Sequence, residues 1–411
     1  MTTTGTAGDR PLDGIRVLEL GSTVAGPFCG RLLADFGADV IKVEPPDGDA
    51  VRSMGKRVHG RSLYAASIFR NKALVTIDLR TEEGRRLVGD LAADTDVLIE
   101  NFRPGTMERW GLGYDELADR NPGLVMVRIS GFGQDGPYRD RSGYGVIGEA
   151  VSGLRHITGD IDRPPSRVAV SMTDYITGLY AAFGAVLALF SRMRTGRGQS
   201  IDAALYECAF SFMEPWIPAY EKLGYVAGRS GSRLPESTPN NLYPTEDNEF
   251  IHIAAPGTGP FRRLATVMGR PDLVDDPRFE DAVARSASED ALDDVITEWT
   301  SRHPLKEIEA ELLRVDVPAS RIFTMADIFG DLHFAARGSI AAAPDDELGD
   351  VAMAAVVPRL SATPGGIDHA GGRPGDDTRR VLSEKLGLDA EEIEALARSG
   401  VITVGPIEEK Q

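Results

Sequence analysis

The stretch from Ile15 to Glu44 constrains this chain more than any other. Ile15-Arg16-Val17-Leu18-Glu19-Leu20 reads as a short strand, Gly21 to Pro27 as a loop, Phe28 to Phe36 as a helix, and Val40-Ile41-Lys42-Val43 as a second strand. Two strands joined by a helical crossover must run parallel, and parallel sheets are covered on both faces. Pro27 fits the first turn of its helix, where a missing N–H costs nothing. The alternation continues with strands over Leu74 to Leu79, Val97 to Ile99 and Leu124 to Ile129, and a helix over Thr81 to Ala93. Arg167-Val168-Ala169-Val170 is a further strand candidate. The expected fold class is α/β, a large domain built on a mostly parallel sheet.

A long apolar helix is expected from Tyr175 to Met193, and being apolar on most faces it should be buried. Between Gly224 and Thr245 the sequence turns to Gly, Ser, Pro and Asn, the composition of a linker or binding loop. Helices over Ser288 to Ser301 and Leu305 to Val315 belong to a second unit. The expected partition is 11–223 for the first part of the large domain, 224–330 for a linker and small domain, and 331–405 for the return to the large domain.

The chain of 411 residues has a formal net charge of -18, which excludes general affinity for nucleic acid or an anionic membrane. The charge is uneven. Between Ala50 and Ile77 there is no acid, yet Arg52, Lys56, Arg57, Arg61, Arg70 and Lys72 fall there, a segment suited to a small polyanion or to a solvated surface. Cys29 and Cys208 are too few for a disulfide framework, so a cytoplasmic location is expected. The polar start, Met1 to Arg10, has no apolar leader segment, and no apolar run is long enough to suggest a membrane span.

The loop Gly21 to Pro27 stands where a dinucleotide fingerprint would stand, with Glu44 as a ribose-binding acid, but Thr23 occupies the position of the second glycine. Cys29 lies in a first helical turn, with no base close in sequence, and reads as a packed thiol. Asp174 precedes the long helix. It is a natural N-cap, or else a carboxylate nucleophile at the carboxyl end of a strand, where ligands of open α/β sheets bind. The six histidines show no metal-ligand spacing. Arg229, Arg233, Asn240 and Asn241 could grip a carboxylate or solvate a loop.

These residues accumulate into a likeness. Pro11 to Leu20 with Ala25-Gly26-Pro27, Leu33 to Pro45, Gly48 to Arg52, Asn71-Lys72, Glu100 to Gly105, Arg109 to Gly113, Ser130 to Gln134, Asp174 to Gly178, Asp276 to Phe279 and Val317-Pro318-Ala319 resemble the class III CoA-transferases, the family of formyl-CoA and carnitine CoA-transferases. The resemblance implies a Rossmann-like large domain formed by both chain ends, a smaller inserted α+β domain, and an interlocked ring-like homodimer. It implies that Asp174 is the catalytic nucleophile, taking CoA from an acyl-CoA donor and passing it to a small carboxylic acid acceptor without metal or redox cofactor. CoA contacts carried over from the family fall on Val24, Ala25, Lys72, Leu74, Asn101, Phe102, Thr106 and Arg109, with Arg52 and Arg103 as further positions. The basic segment would then lie partly against the phosphates of CoA.

Two positions depart from relatives. Val24 stands where some members carry glutamine, and Tyr144 stands where the 2-methylacyl-CoA racemases carry a histidine base. A tyrosine with a reference pKa of about 10 is a poor base near neutral pH. Racemase is the alternative within the fold. An NAD-dependent oxidoreductase and a catalytically silent CoA-binding protein are the alternatives outside it.

Overall fold

The computed structural model describes residues 10–405, so most of the polar start lies outside the described residues. The chain divides into two compact units. The larger draws on residues 10–154, 168–217 and 335–405, and the smaller on Arg155–Arg167 and Pro218–Phe334.

The larger unit is built on six strands: β1 (Arg16–Glu19), β2 (Asp39–Glu44), β3 (Lys72–Thr76), β4 (Val97–Glu100), β5 (Val125–Ser130) and β6 (Ser200–Ala204). All pair in parallel, in the order β3-β2-β1-β4-β5-β6. Alternate side chains supply two apolar layers. Leu18, Ile41, Val75, Leu98 and Met126 face one core, and Val17, Val40, Val97, Val125 and Val127 the other. Full burial of each such side chain stabilises the fold by about 1.5–3 kcal/mol. On the second face lie α1 (Ala25–Asp35) and part of a long helix; on the first lie helices over Glu82–Ala92, Thr378–Leu386 and Ala390–Arg398. The last two bring the chain end back to the edge strand, where Thr76 N–H donates to Thr378 Oγ1 at 3.1 Å.

The strand order reverses between β1 and β4, so the loops leaving these two strands flank a crevice at their carboxyl ends. The helix α2 (Gly145–Val151) and the long helix α3 (Met172–Thr195) complete the surroundings of that crevice.

Three expectations change. Residues 167–170 form no strand: they are exposed loop and bend residues, and β-propensity without a ladder is not enough. Ser171, not Asp174, is the N-cap of α3, which places Asp174 third in its first turn. The long helix is only half-buried. Its small residues Ala181, Ala185 and Ala188 are enclosed, whereas Phe183, Leu187, Phe190 and Met193 are 51–83% exposed. It is the one helix among the described residues long and apolar enough to cross a membrane. Its small-residue face nevertheless packs on α1 and β5. The strand β6 was not anticipated, because Ser200-Ile201-Asp202-Ala203-Ala204 alternates over only four residues and carries a single β-branched side chain.

The smaller unit carries a three-stranded antiparallel sheet, β7 (Asn240–Pro244), β8 (Phe250–Ala254) and β9 (Ala319–Arg321), in the order β9-β8-β7. Helices over Thr258–Val267, Glu289–Thr300 and Leu305–Arg314 close a core around Ile251, Ile253, Phe261, Leu292 and Ile308.

Candidate active site

The loop between β1 and α1 is shaped by groups outside it. From the β4 side, Asn101 accepts from Ser22 N–H at 2.8 Å and donates to Ser22 O at 2.9 Å. Gly21 and Gly26 approach so closely that a Cβ on either would stand 3.0 Å from the Cα of the other. From below, Lys42 Nζ donates to Gly21 O, and Lys72 Nζ donates to Pro27 O at 2.7 Å. Thr23 has φ +69°, a left-handed conformation that a threonine rarely adopts. Its N–H is held at 3.0 Å by Asp49, which also caps the turn beginning at Ala50 through Val51 N–H.

Beneath this loop Glu19, Lys42, Asp49 and Lys72 form one buried charge network. Lys72 lies 2.6 Å from Glu19, and Lys42 lies 3.0 Å from Asp49 and 3.7 Å from Glu19. Burial raises the Glu19 carboxyl and lowers the Lys72 amine. Burial also opposes the charged forms of Lys42 and Asp49, but their mutual attraction outweighs it, leaving Lys42 raised and Asp49 lowered. The sequence does carry a signal for this cluster: Glu19 and Lys42 interrupt otherwise apolar strands that a parallel sheet must bury.

Val24 is the N-cap of α1 and Ala25 its first residue, both buried. Against that first turn packs α3. A Cβ on Gly178 would lie 2.7 Å from Ala25 O and 2.9 Å from the Phe28 ring. Asp174 is one helical turn before Gly178 on the same face, so the carboxylate stands beside the amino end of α1. On its other side is the first residue of α2, where an added Cβ on Gly145 would stand 2.0 Å from Asp174 Oδ2. The segment carrying Gly145 is pinned in turn, since Gly143 and Gly131 meet backbone to backbone. Tyr175 extends the site through an edge-on contact with Phe28, at 4.7 Å between ring centres, and a 2.8 Å hydrogen bond between its hydroxyl and that of Tyr64. The amino-terminal amides of α1 and α2 offer partial positive charge where a tetrahedral oxyanion would form on an acylated Asp174.

The packing of Gly178 on Ala25 sets the first turn of α3, which carries Asp174, at the end of α1 where Val24 and Ala25 lie, and Asn101 joins the loop after β4 to the adjoining Ser22. That loop carries Phe102, packed edge-on to Trp110 at 5.1 Å, and Thr106 with exposed Arg103 and Arg109. Arg109 donates to Thr106 Oγ1 and Arg103 to Ser142 Oγ, each at 2.8 Å. Lys72 and Leu74 do not join this group. Lys72 opens β3, with its ammonium wholly enclosed, and Leu74 is a buried mid-strand residue. Arg52 has spent its fork on Glu44, at 2.6 Å from both nitrogens, and on Gly372 O.

The basic segment is thus largely neutralised in space. Arg61 pairs with Asp345, Arg70 with Asp35 and Lys72 with Glu19, partners distant in sequence, which leaves Lys56 and Arg57 exposed. Glu44 is equally committed, because both its oxygens hold Arg52 and Oε2 also accepts from Asp49 N–H, so it cannot serve a ribose without breaking that pair. Burial pushes the Cys29 thiol well above its ordinary range, which makes it a packing residue. Tyr144 is 71% exposed as the N-cap of α2. In the smaller unit Arg233 is held by Asp290 and Asp293, Asn241 by Asp293, Asn240 by His252 and Arg229 by backbone oxygens of residues 160 and 161. These four side chains brace a loop. Among the described residues no group of three or more His, Cys, Asp or Glu is placed to hold a metal ion.

Both the sequence and the fold have relatives among known proteins. The sequence model of CoA-transferase family III matches residues 12–378. The chain is 48% identical to the succinyl-CoA–D-citramalate CoA-transferase of Chloroflexus aurantiacus, over 96% of this chain and 98% of that one. It is 41% identical to the beta subunit of the succinyl-CoA–L-malate CoA-transferase of the same organism, over 97% of this chain and all of that one. Among solved structures, a CaiB/BaiF family protein from Brucella suis superimposes with a TM-score of 0.82 at 37% identity, covering 92% of this chain and all of that one.

Proposed function

The chain belongs to CoA-transferase family III and moves CoA between an acyl thioester and a free carboxylate, and from this premise we propose that Asp174 carries the acyl and CoA groups in turn, that the donor is succinyl-CoA, and that the acceptor is a small dicarboxylic acid. The supporting observation is the seat of Asp174, set between the amino ends of α1 and α2 at the point where the strand order reverses.

An Asp174 oxygen attacks the thioester carbonyl, the C–S bond breaks, and a mixed anhydride forms with release of the CoA thiolate. The thiolate attacks the Asp174 carbonyl carbon and expels the donor acid, leaving an aspartyl-CoA thioester. The acceptor carboxylate attacks the same carbon and expels the thiolate, giving a second anhydride. The thiolate then attacks the acceptor's carbonyl carbon, the new acyl-CoA departs, and Asp174 is free again. Every intermediate is an activated acyl group, so water must be kept out, and the enclosed backbone around Gly145 and Gly178 serves that end.

CoA enters along the loop after β4, with its phosphates toward Arg103 and Arg109 and its thiol end toward Val24 and Ala25. The exposed apolar face of α3 supports a homodimer in which a second copy covers Phe183, Leu187, Phe190 and Met193. Sedimentation as a monomer at micromolar concentration would refute that part. We place the enzyme in the cytoplasm, where Cys29 and Cys208 stay reduced, and finding it in another cell fraction would contradict this.

The test of the central step is Asp174→Asn, assayed for CoA exchange between succinyl-CoA and L-malate or D-citramalate with hydroxylamine trapping under turnover. The substitution should abolish exchange, and wild-type enzyme should yield a hydroxamate at Asp174. Exchange at the wild-type rate by the variant would refute the mechanism. Deuterium entering the α-position of a 2-methylacyl-CoA from heavy water, with no acceptor acid required, would favour a racemase instead.

A further inference from the structure

Arg31, in the body of α1, is a largely buried cation whose ion pair with Asp35 is long and whose Nε makes no hydrogen bond. Its side chain is only 16% exposed. Asp35 Oδ2 is 3.6 Å away, beyond hydrogen-bond reach, and the Asp35 carboxylate is already held by Arg70 at 2.8 and 2.6 Å and by Asn71 at 3.2 Å. Burial, reinforced by the neighbouring charge of Arg70, lowers the Arg31 pKa. Arg52, Arg70 and Arg128, by contrast, each have their forks on a carboxylate. A desolvated guanidinium left in this condition is costly unless an anion reaches it.

Its surroundings lead to the reacting carboxylate. The guanidinium lies 4.6 Å over the Phe28 ring, and Phe28 meets Tyr175, the residue next to Asp174. The paired hydroxyls of Tyr64 and Tyr175 lie in the neighbourhood of Arg31, and Tyr64 lies near Asp174 as well. Cation, aromatic wall, hydroxyl pair and nucleophile thus follow one another along the junction of α1 and α3.

We propose that Arg31 anchors the far carboxylate of a dicarboxylic substrate whose near carboxyl group reacts at Asp174. The proposal rests on the transferase reading and names the chemistry that would select its acids. Donor acyl group and acceptor acid occupy the same position in turn, because both bond to Asp174, so one anchor serves both. The planar fork matches a carboxylate bidentately, the touching Phe28 and Tyr175 rings form one apolar wall beside the intervening carbons, and a monocarboxylate would leave the guanidinium with only its long pair to Asp35.

The experiment compares wild type, Arg31→Gln and Arg31→Lys as full-length protein. Each is assayed with succinyl-CoA plus L-malate and with acetyl-CoA plus propionate, and titrated calorimetrically with succinate alone. Arg31→Gln should lose about 10–100-fold in kcat/KM for the dicarboxylic pair, the worth of a charge-assisted hydrogen bond, and weaken succinate binding in proportion. The monocarboxylic pair should change less than about 3-fold, and Arg31→Lys should recover part of the loss. Equal losses for both pairs, or none for either, would overturn the anchor while leaving the transferase standing. Wild type that exchanges no pair but binds succinate in an Arg31-dependent way would overturn the transferase and keep the anchor. Wild type that does neither would overturn both.

Discussion

Replacing Gly145 by alanine should separate catalysis from stability. The backbone at Gly145 is not among the positive-φ glycines, so alanine is conformationally permitted there, at the first position of α2. The added methyl would stand 2.0 Å from Asp174 Oδ2, 2.8 Å from Cγ and 3.3 Å from Oδ1. Carbon and oxygen make ordinary contact well beyond 3 Å, so the carboxylate must retreat by an ångström or more. What retreats is the end of a side chain, so rotation about χ1 and χ2 relieves the collision at a cost on the order of 1 kcal/mol, partly offset by alanine's helix propensity. The fold should therefore survive with a midpoint of thermal unfolding within a few degrees of wild type. Catalysis should not survive as well, since displacing a reacting group by about 1 Å costs on the order of 100-fold in rate. The assay is succinyl-CoA-dependent exchange, with mass spectrometry of the aspartyl adduct and calorimetric melting on the same preparation. Gly145→Ala with wild-type kcat and an unchanged melting point would refute the placement of Asp174 against α2. A loss of activity that merely tracked unfolding would refute the claim that the contact is catalytic rather than structural.

Substituting Lys72 by methionine leaves Glu19 enclosed without its closest cation, so unfolding free energy in urea should fall by about 3–5 kcal/mol. Arg109→Gln should leave stability alone and weaken CoA binding in a salt-dependent way; a Lys72 variant of unaltered stability would refute the network. Glu100, buried at the end of β4, has its carboxyl raised to about 7 by burial, against the opposing pull of Arg128 and Phe102 N–H. A carboxyl raised in the folded state adds stability that is complete below its unfolded value near 4.5 and is lost as pH rises through about 7. Wild type should accordingly lose up to about 3 kcal/mol relative to Glu100→Gln between those limits, and parallel stability profiles would contradict the assignment.

The parallel sheet was legible because it rests on local pattern. Residues 15–44 announce strand, helix and strand, and β2 through β5 follow where apolar runs were read. The edge strand β6 escaped because its residues carry little apolar bulk, so pairing with its neighbour β5 decides it rather than its own pattern. The half-exposed face of α3 escaped for a related reason, since an apolar helix looks buried whatever covers it. In the site, Asp174 came from resemblance and not from spacing, and position alone had suggested an N-cap. The basic run at 50–77 misled because charge along a sequence is not charge in space: Asp345 and Asp35, which neutralise Arg61 and Arg70, lie far away in the chain. Gly145 and Arg31 carried no local signal, as one is defined by what it lets in and the other by what it lacks.

The loop between β1 and α1 takes its shape from Lys42, Asp49 and Asn101, none of which belongs to it. Positions that keep the path of the main chain and positions that meet the substrate are therefore different positions. On the proposed reading of the site, a lineage could alter the residue at 24, or the aromatic wall beyond it, and change which acid is accepted without learning to fold the loop again. The reverse traffic is closed: a change at Glu19 or Lys42 would reach the reacting carbon through the loop without altering a single group that touches it, and would pass in a screen for a defect of substrate choice.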